Sequence, residues 1–226
     1  MLIRTHASMN APEWLAYAIS RPSDDRLGRM VQFVSCIIED AVRELAASLE
    51  LYWPSEGQNE MPEAHTVGAV GRAFGRAGFH VYHEVQCRTD GALGHVDLLA
   101  ISQERSACVV VEGKRLYNPD GVAAMLRDWH RLGSTRLASQ HGAPSLTDHY
   151  RMLVATTWQS EIKERWEGLR DVPTRKDAPS WSDLRKELNA ALLTKPSHII
   201  QTDEHWGKQW FLFAFGKKDT SFFAPA

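Results

Sequence analysis

The chain has 226 residues, 43% of them hydrophobic and 24% charged, with a formal net charge of −2. That length suits one medium-sized domain with an appendage and is enough for a substantial core. A near-neutral charge excludes a global electrostatic grip on nucleic acid, so any such contact needs local basic patches.

Three cysteines, Cys36, Cys87 and Cys108, form no CxxC pair. A sparse, odd set argues for thiols in a reducing cytoplasm and against a disulfide framework. The opening stretch MLIRTHASMNAPEW lacks an apolar signal core. No apolar run reaches the length needed to cross a membrane. The expectation is a cytoplasmic protein without membrane contact.

In chain order, residues 12–20 predict a short helix opened by Pro12. Met30, Val34, Ile37, Ile38, Ala41, Leu45 and Leu49 recur at helical spacing and predict a longer helix from Asp25 to Glu50. Val31 and Phe33 widen its apolar face. Pro, Gly, Asn and Ser in 52–63 mark a linker. A second helix is expected over Pro62–Ala77, with Gly78 at its C-terminal cap. Strands follow at 79–87, 95–101 and 108–114, separated by a turn at 88–94 and a loop at 102–107.

The remaining expectations are a helix at 121–133, a buried strand at 150–158 and a helix at 160–169. A loop at 171–182 and a short helix at 182–193 precede two strands at 197–201 and 209–215. Residues 1–59 read as an N-terminal helical extension packed on a core domain of 60–226. The order α–β–β–β–α–β–α describes an α/β (α+β) sheet flanked by helices.

Inside this apolar pattern stand three charges. GHVDLLAI carries Asp97, and VVVEGK carries Glu112 and Lys114. Buried charge is costly unless it is paired or holds a metal. A simple hairpin between the two strands brings Asp97 opposite Glu112 and His95 opposite Lys114. Opposed residues share a face, with Cβ atoms roughly 5 Å apart. Two carboxylates that close share a proton or bind a cation. Their hard oxygens favour Mg²⁺ or Mn²⁺. Lys114 is placed to orient a water or stabilise a phosphorane oxyanion, as metal-assisted phosphodiester hydrolysis requires. Glu84, on the preceding strand, and Glu63, on the apolar stripe of Val67, Val70 and Phe74, are further candidate acids. Glu63 fits helix-dipole stabilisation equally well.

These residues resemble the PD-(D/E)xK nuclease superfamily, whose restriction-endonuclease-like core runs α–β–β–β–α–β. The likeness covers about residues 60–170, with Asp97 as the first acid and Glu112-Gly113-Lys114 as the E-x-K. Val96 replaces the proline that commonly precedes the aspartate, and Gly113 stands where a larger apolar residue is commoner. The resemblance implies that Asp97, Glu112 and the Gly113 carbonyl hold Mg²⁺ or Mn²⁺, with Glu84 or Glu63 assisting. It implies nucleic-acid contacts from Arg115, Arg127 and Arg131, and a nucleic-acid substrate, DNA foremost, for which a homodimer would supply the two sites that cutting both strands needs. Some members have lost activity and only bind, and Gly113 keeps that alternative open. Turnover of a small phosphate ester is a third reading.

Arg72 and Arg76 share a helix face and could touch phosphates, although a solvated face is the default. A local basic excess of Lys114, Arg115, Arg127, Arg131 and Arg136 is the best candidate for a patch that binds the nucleic-acid backbone. His95 could position water or phosphate beside Lys114. His80, His83 and Cys87 make a poor zinc site, because His80 and His83 point to opposite faces of a strand. GRAFGRAG (71–78) lies in a helix pattern and is not a nucleotide loop. Trp129 is expected in the core, and Trp206 and Trp210 either pack or stack on bases.

Overall fold

A computed structural model describes residues 26–52, 62–137, 145–169, 178–192, 198–203 and 207–223. The helix expected at 12–20, Trp206 and nearly all of the expected 52–63 linker lie outside the described residues. Two helices, α1 (Arg26–Leu51) and α2 (Glu63–Arg76), come first. Three strands follow: β1 (His80–Thr89), β2 (Ala92–Ser102) and β3 (Ala107–Arg115). Then come α3 (Pro119–Ser134), β4 (Arg136–Leu137), β5 (Asp148–Thr157), α4 (Ser160–Glu167) and α5 (Ala178–Ala190). The strands β6 (His198–Asp203) and β7 (Gly207–Lys218) end the order.

One mixed sheet runs β4-β1-β2-β3-β5-β7-β6. Within the described sheet β3 and β5 pair in parallel, joined across it by α3, and Leu137 of β4 makes an isolated parallel bridge to Phe223. The strands β3 and β5 carry near-continuous apolar runs, Val109–Val111 and Met152–Ala155, because both faces of the sheet are covered. On one face α1 and α2 pack through Val34, Ile38, Leu45, Val70 and Phe74 onto Leu98, Val109, Val111 and Met152. On the other, α3, α4 and α5 pack through Met125, Trp129, Trp166 and Leu184 onto Val110, Leu153 and Leu212. Thus α1 buries every apolar position its periodicity singled out, and it shares its core with the sheet. Trp129 is buried, and Trp210 packs half-buried against the same cluster.

Several boundaries differ from expectation, and one strand is new. The turn between β1 and β2 is only Asp90-Gly91, not 88–94, with φ of 50° and 86°. An Asp-Gly pair with both φ values positive makes a two-residue hairpin turn, so the strands extend right up to it. The last helix starts at Ala178, inside the expected 171–182 loop, because Pro179 is tolerated in a first turn. The two-residue β4, unforeseen, covers only Cys87 and Arg88 of the edge strand β1. Beyond them, the outer edge of β1 has no strand partner among the described residues. Within that open stretch Glu84 holds a left-handed backbone, φ 51°.

No described helix is long and apolar enough to cross a membrane. The three cysteines are free thiols, two of them buried.

Candidate functional site

The register of the β2–β3 hairpin is the one the short loop implies: Ser102 meets Ala107, and Leu98 meets Val111. The ladder stops there, one step before Asp97 and Glu112. The expected direct pairs Asp97–Glu112 and His95–Lys114 therefore lie where the two strands have parted. Beyond Val111, β3 continues against β5 on its other side, through Glu112, Gly113, Lys114 and Arg115.

Parting leaves backbone donors on β3 without a strand partner, and buried N–H groups need an acceptor. Two carboxylates supply it. Asp97 Oδ2 accepts from the Gly113 N–H at 2.6 Å. Glu63 Oε1, from the first turn of α2, accepts from the Arg115 N–H at 3.0 Å. Glu63 thus points at the sheet, and the other oxygens of Asp97 and Glu63 accept no bond among the described residues.

Gly113 is required by packing. A Cβ there would lie 2.5 Å from Val67 Cγ2 on α2, 3.4 Å from Asp97 Oδ2 and 3.9 Å from Glu63 Cβ. A stiff, buried valine cannot swing aside, so the helix sits directly on the glycine backbone. Gly71 does the same one turn along α2, where a Cβ would come within 2.8 Å of Leu98 Cδ1. That is the use of Gly71 in GRAFGRAG, whereas a Cβ at Gly75 would meet open space and Gly78 is needed for its positive φ of 86°.

Glu112 reaches the opposite helix, α3. It is 5% exposed. Its Oε1 accepts from Arg131 Nη2, and Lys114 Nζ stands 3.8 Å from the same oxygen. Its Oε2 is buried with no hydrogen-bond partner among the described residues. Burial first, and then the nearby Asp97 charge, push its pKa up to about 7 against the pull of Arg131 and Lys114. Lys114 pairs more closely with Asp128 of α3, 3.1 Å from Oδ2. Burial opposes its charge, but Asp128 and then Glu63 outweigh that and hold its pKa above the usual ammonium value.

Asp128 and Arg131 were not foreseen in these roles. Arg131 was expected on nucleic acid, but it turns inward. It binds Glu112, donates from Nε to Asp128 Oδ1 at 3.2 Å, and from Nη1 to the His95 carbonyl at 3.1 Å. The signal available in the sequence was the spacing of Asp128 and Arg131, which puts them one turn apart on one helix face. Asn118 fixes where that helix begins, its side chain accepting from the Gly121 N–H at 2.9 Å, with Pro119 as first residue.

Other basic candidates carry contacts of their own. Arg72 and Arg76 bind Glu44, and Arg76 also approaches Asp40, all on α1. Arg136 bonds the Thr220 hydroxyl and the Ser221 carbonyl. Within the basic stretch from Lys114 to Arg136, Lys114 and Arg131 thus meet acids inside the fold. Arg127 remains exposed, without an ion pair among the described residues. Arg115 is half-buried and does make a contact. His95 is exposed, and its carbonyl, not its ring, joins the site. Glu84 is exposed and makes no hydrogen bond or ion pair among the described residues. Cys87 is buried whereas His80 and His83 are exposed. Among the described residues no group of three or more His, Cys, Asp or Glu side chains is arranged to hold a metal.

No protein-family model, curated protein or solved structure matches the chain significantly.

Proposed function

We propose that the chain is a divalent-metal-dependent nuclease of the PD-(D/E)xK type, acting on DNA. The observation that carries this reading is Glu112 Oε2, an acid oxygen buried without a partner at a gap between two strands. A lone buried carboxylate oxygen costs several kilocalories unless something uses it. Asp97 lies close enough to raise the Glu112 pKa and has an oxygen to spare. The two free oxygens are hard donors. Two carboxylates with water and substrate oxygens suit Mg²⁺ or Mn²⁺, which keeps several waters, better than a closed protein cage. Asp97 and Glu112 are the residues that would hold the ion, with the Gly113 carbonyl and Glu63 beside them.

A divalent ion there supplies charge for a developing phosphorane and acidifies water. The protein's part is positional. Lys114 stays protonated, since its pKa lies above the usual value. Its role is to stabilise negative charge on the phosphate in the transition state rather than to take a proton. Asp128 fixes where that ammonium sits. The α–β–β–β–α–β order of α2, β1, β2, β3, α3 and β5 supports the restriction-endonuclease-like assignment, as does β3 paired between β2 and β5. A homodimer would supply the second site for cutting both strands.

A second reading has its own support. Asp97 and Glu63 satisfy backbone donors, and Glu112 and Lys114 are tied to Arg131 and Asp128. Each charge except Glu112 Oε2 thus has structural work, which favours a nuclease-fold protein that only binds.

Incubation with single-stranded, duplex and branched DNA separates the two. The nuclease reading expects cleavage with Mg²⁺ or Mn²⁺ that EDTA stops and that Asp97→Ala and Lys114→Ala each abolish. Intact DNA in every case would leave the binding reading, and variants as active as the wild type would put any cleavage outside Asp97 and Lys114 and sink this assignment.

A further inference from the structure

Arg131 is the cation nearest the orphaned carboxylate. Its guanidinium serves three acceptors at once: Glu112 Oε1, Asp128 Oδ1 and the His95 carbonyl. The last is available because β2 and β3 have parted there. Asp128 and His95 alone can hold the side chain, since Nε and Nη1 serve them and only Nη2 reaches Glu112. Lys114 is anchored separately on the other oxygen of Asp128. Around the gap, Asp128, Glu63 and Glu112 surround Lys114, and Glu112 and Asp128 flank Arg131. One oxygen of the Glu112 carboxylate is thus already taken by a resident positive charge.

We propose that Arg131 is a built-in counter-cation of this carboxylate site, competing with the divalent ion for Glu112. Resting on the metal-site reading above, this makes loading an exchange. As the ion engages Glu112, Nη2 lets go of Oε1, and the side chain falls back on Asp128 and the His95 carbonyl. With no ion bound, the same contact keeps the ionised Glu112 paired inside the fold, where a solitary charge would be strongly destabilising. The site thus trades metal affinity for a fold that is intact when empty.

Calorimetric titration of the full chain with Mn²⁺ alone tests this, comparing wild type, Arg131→Gln, Arg131→Lys and Arg131→Gln with Asp97→Ala. Removing a unit charge a few ångströms from a bound dication, at partly screened range, tightens binding on the order of tenfold. Arg131→Gln should show that gain and lose it when Asp97→Ala is added. Arg131→Lys keeps the charge but cannot serve three acceptors from a fork, so it should fall between Gln and wild type. If Arg131→Gln does not fold, the Lys variant carries the test, with affinity above wild type expected. Equal or weaker Mn²⁺ binding by the folded variants, with binding by wild type, overturns the counter-cation and leaves the metal site standing. Absence of binding by every protein, or binding that survives Asp97→Ala, overturns both.

Discussion

The two halves of the β2–β3 hairpin are built from the same two strands and behave as opposites. Near the turn, Leu98–Ser102 lies against Ala107–Val111 in an unbroken antiparallel ladder, and nearly all the side chains are apolar and buried. Beyond Leu98 and Val111 the ladder ends, and carboxylates, a lysine and an arginine crowd the gap. The difference teaches where a fold can keep charge. A closed ladder satisfies its own backbone and leaves no place for an ion. An opened one exposes donors that need acid oxygens, and the charges that answer them bring counter-charges of their own.

The largest effect belongs to the closed half. Leu98→Ala removes a fully buried side chain beneath Gly71 and should cost about 3 kcal/mol in chemical denaturation. A loss under 1 kcal/mol would mean the closed half is not the rigid partner it looks. At the boundary, Gly113→Ala forces a methyl against Val67 and should cost roughly 2 kcal/mol. Adding Val67→Ala opens the space, so the double variant should be more stable than the sum of the two losses predicts. Strict additivity would remove the steric account of Gly113.

The open half should respond with the opposite sign. The Glu112 pKa is about 7 in the fold, above the ordinary glutamate value. The folded state therefore binds more protons than the unfolded chain between roughly pH 4.5 and 7, and stability falls as pH rises through that window. Without metal, Glu112→Gln should be more stable than wild type at pH 8 by roughly 1 to 2 kcal/mol, with the advantage vanishing near pH 4.5. Thermal melts across that range in EDTA check it. A variant less stable than wild type at pH 8 would mean that the Arg131 pairing outweighs burial.

The smallest change is Asp97→Asn. The amide oxygen still accepts from the Gly113 N–H, so stability should move by no more than about 0.5 kcal/mol. Asp97→Leu leaves that donor unanswered and should cost more, on the order of 1 to 2 kcal/mol. Equal effects in denaturant titrations would show that Asp97 does not cap the parted strand.

Much of this was legible in the sequence. The long first helix follows from its spaced apolar residues, and the hairpin register follows from four residues of turn between Ser102 and Ala107. Glu63 on the apolar stripe of α2 did signal an acid turned to the sheet. The point where the ladder stops was not legible, because it depends on α2 lying over Gly113 and α3 reaching in beside Glu112. The arginines misled for a related reason. A Lys/Arg excess along the chain says nothing about acids brought in from afar, and Arg72 meets Glu44 across 28 positions of sequence. Asp90-Gly91 was the opposite case, a turn signal confined to two residues and spread too widely over its neighbours.

The left-handed backbone at Glu84 matters for how the protein keeps to itself. From His80 to Gln86 the edge of β1 is open among the described residues, with exposed side chains at most positions and Tyr82 52% exposed. A straight strand there would offer a row of donors and acceptors for a neighbouring molecule to extend. The φ of 51° at Glu84 breaks that row near its middle and places a charged residue at the break. Along the described stretch an incoming strand would find no continuous template, which is one of the ways an edge strand is kept from pairing with a neighbour.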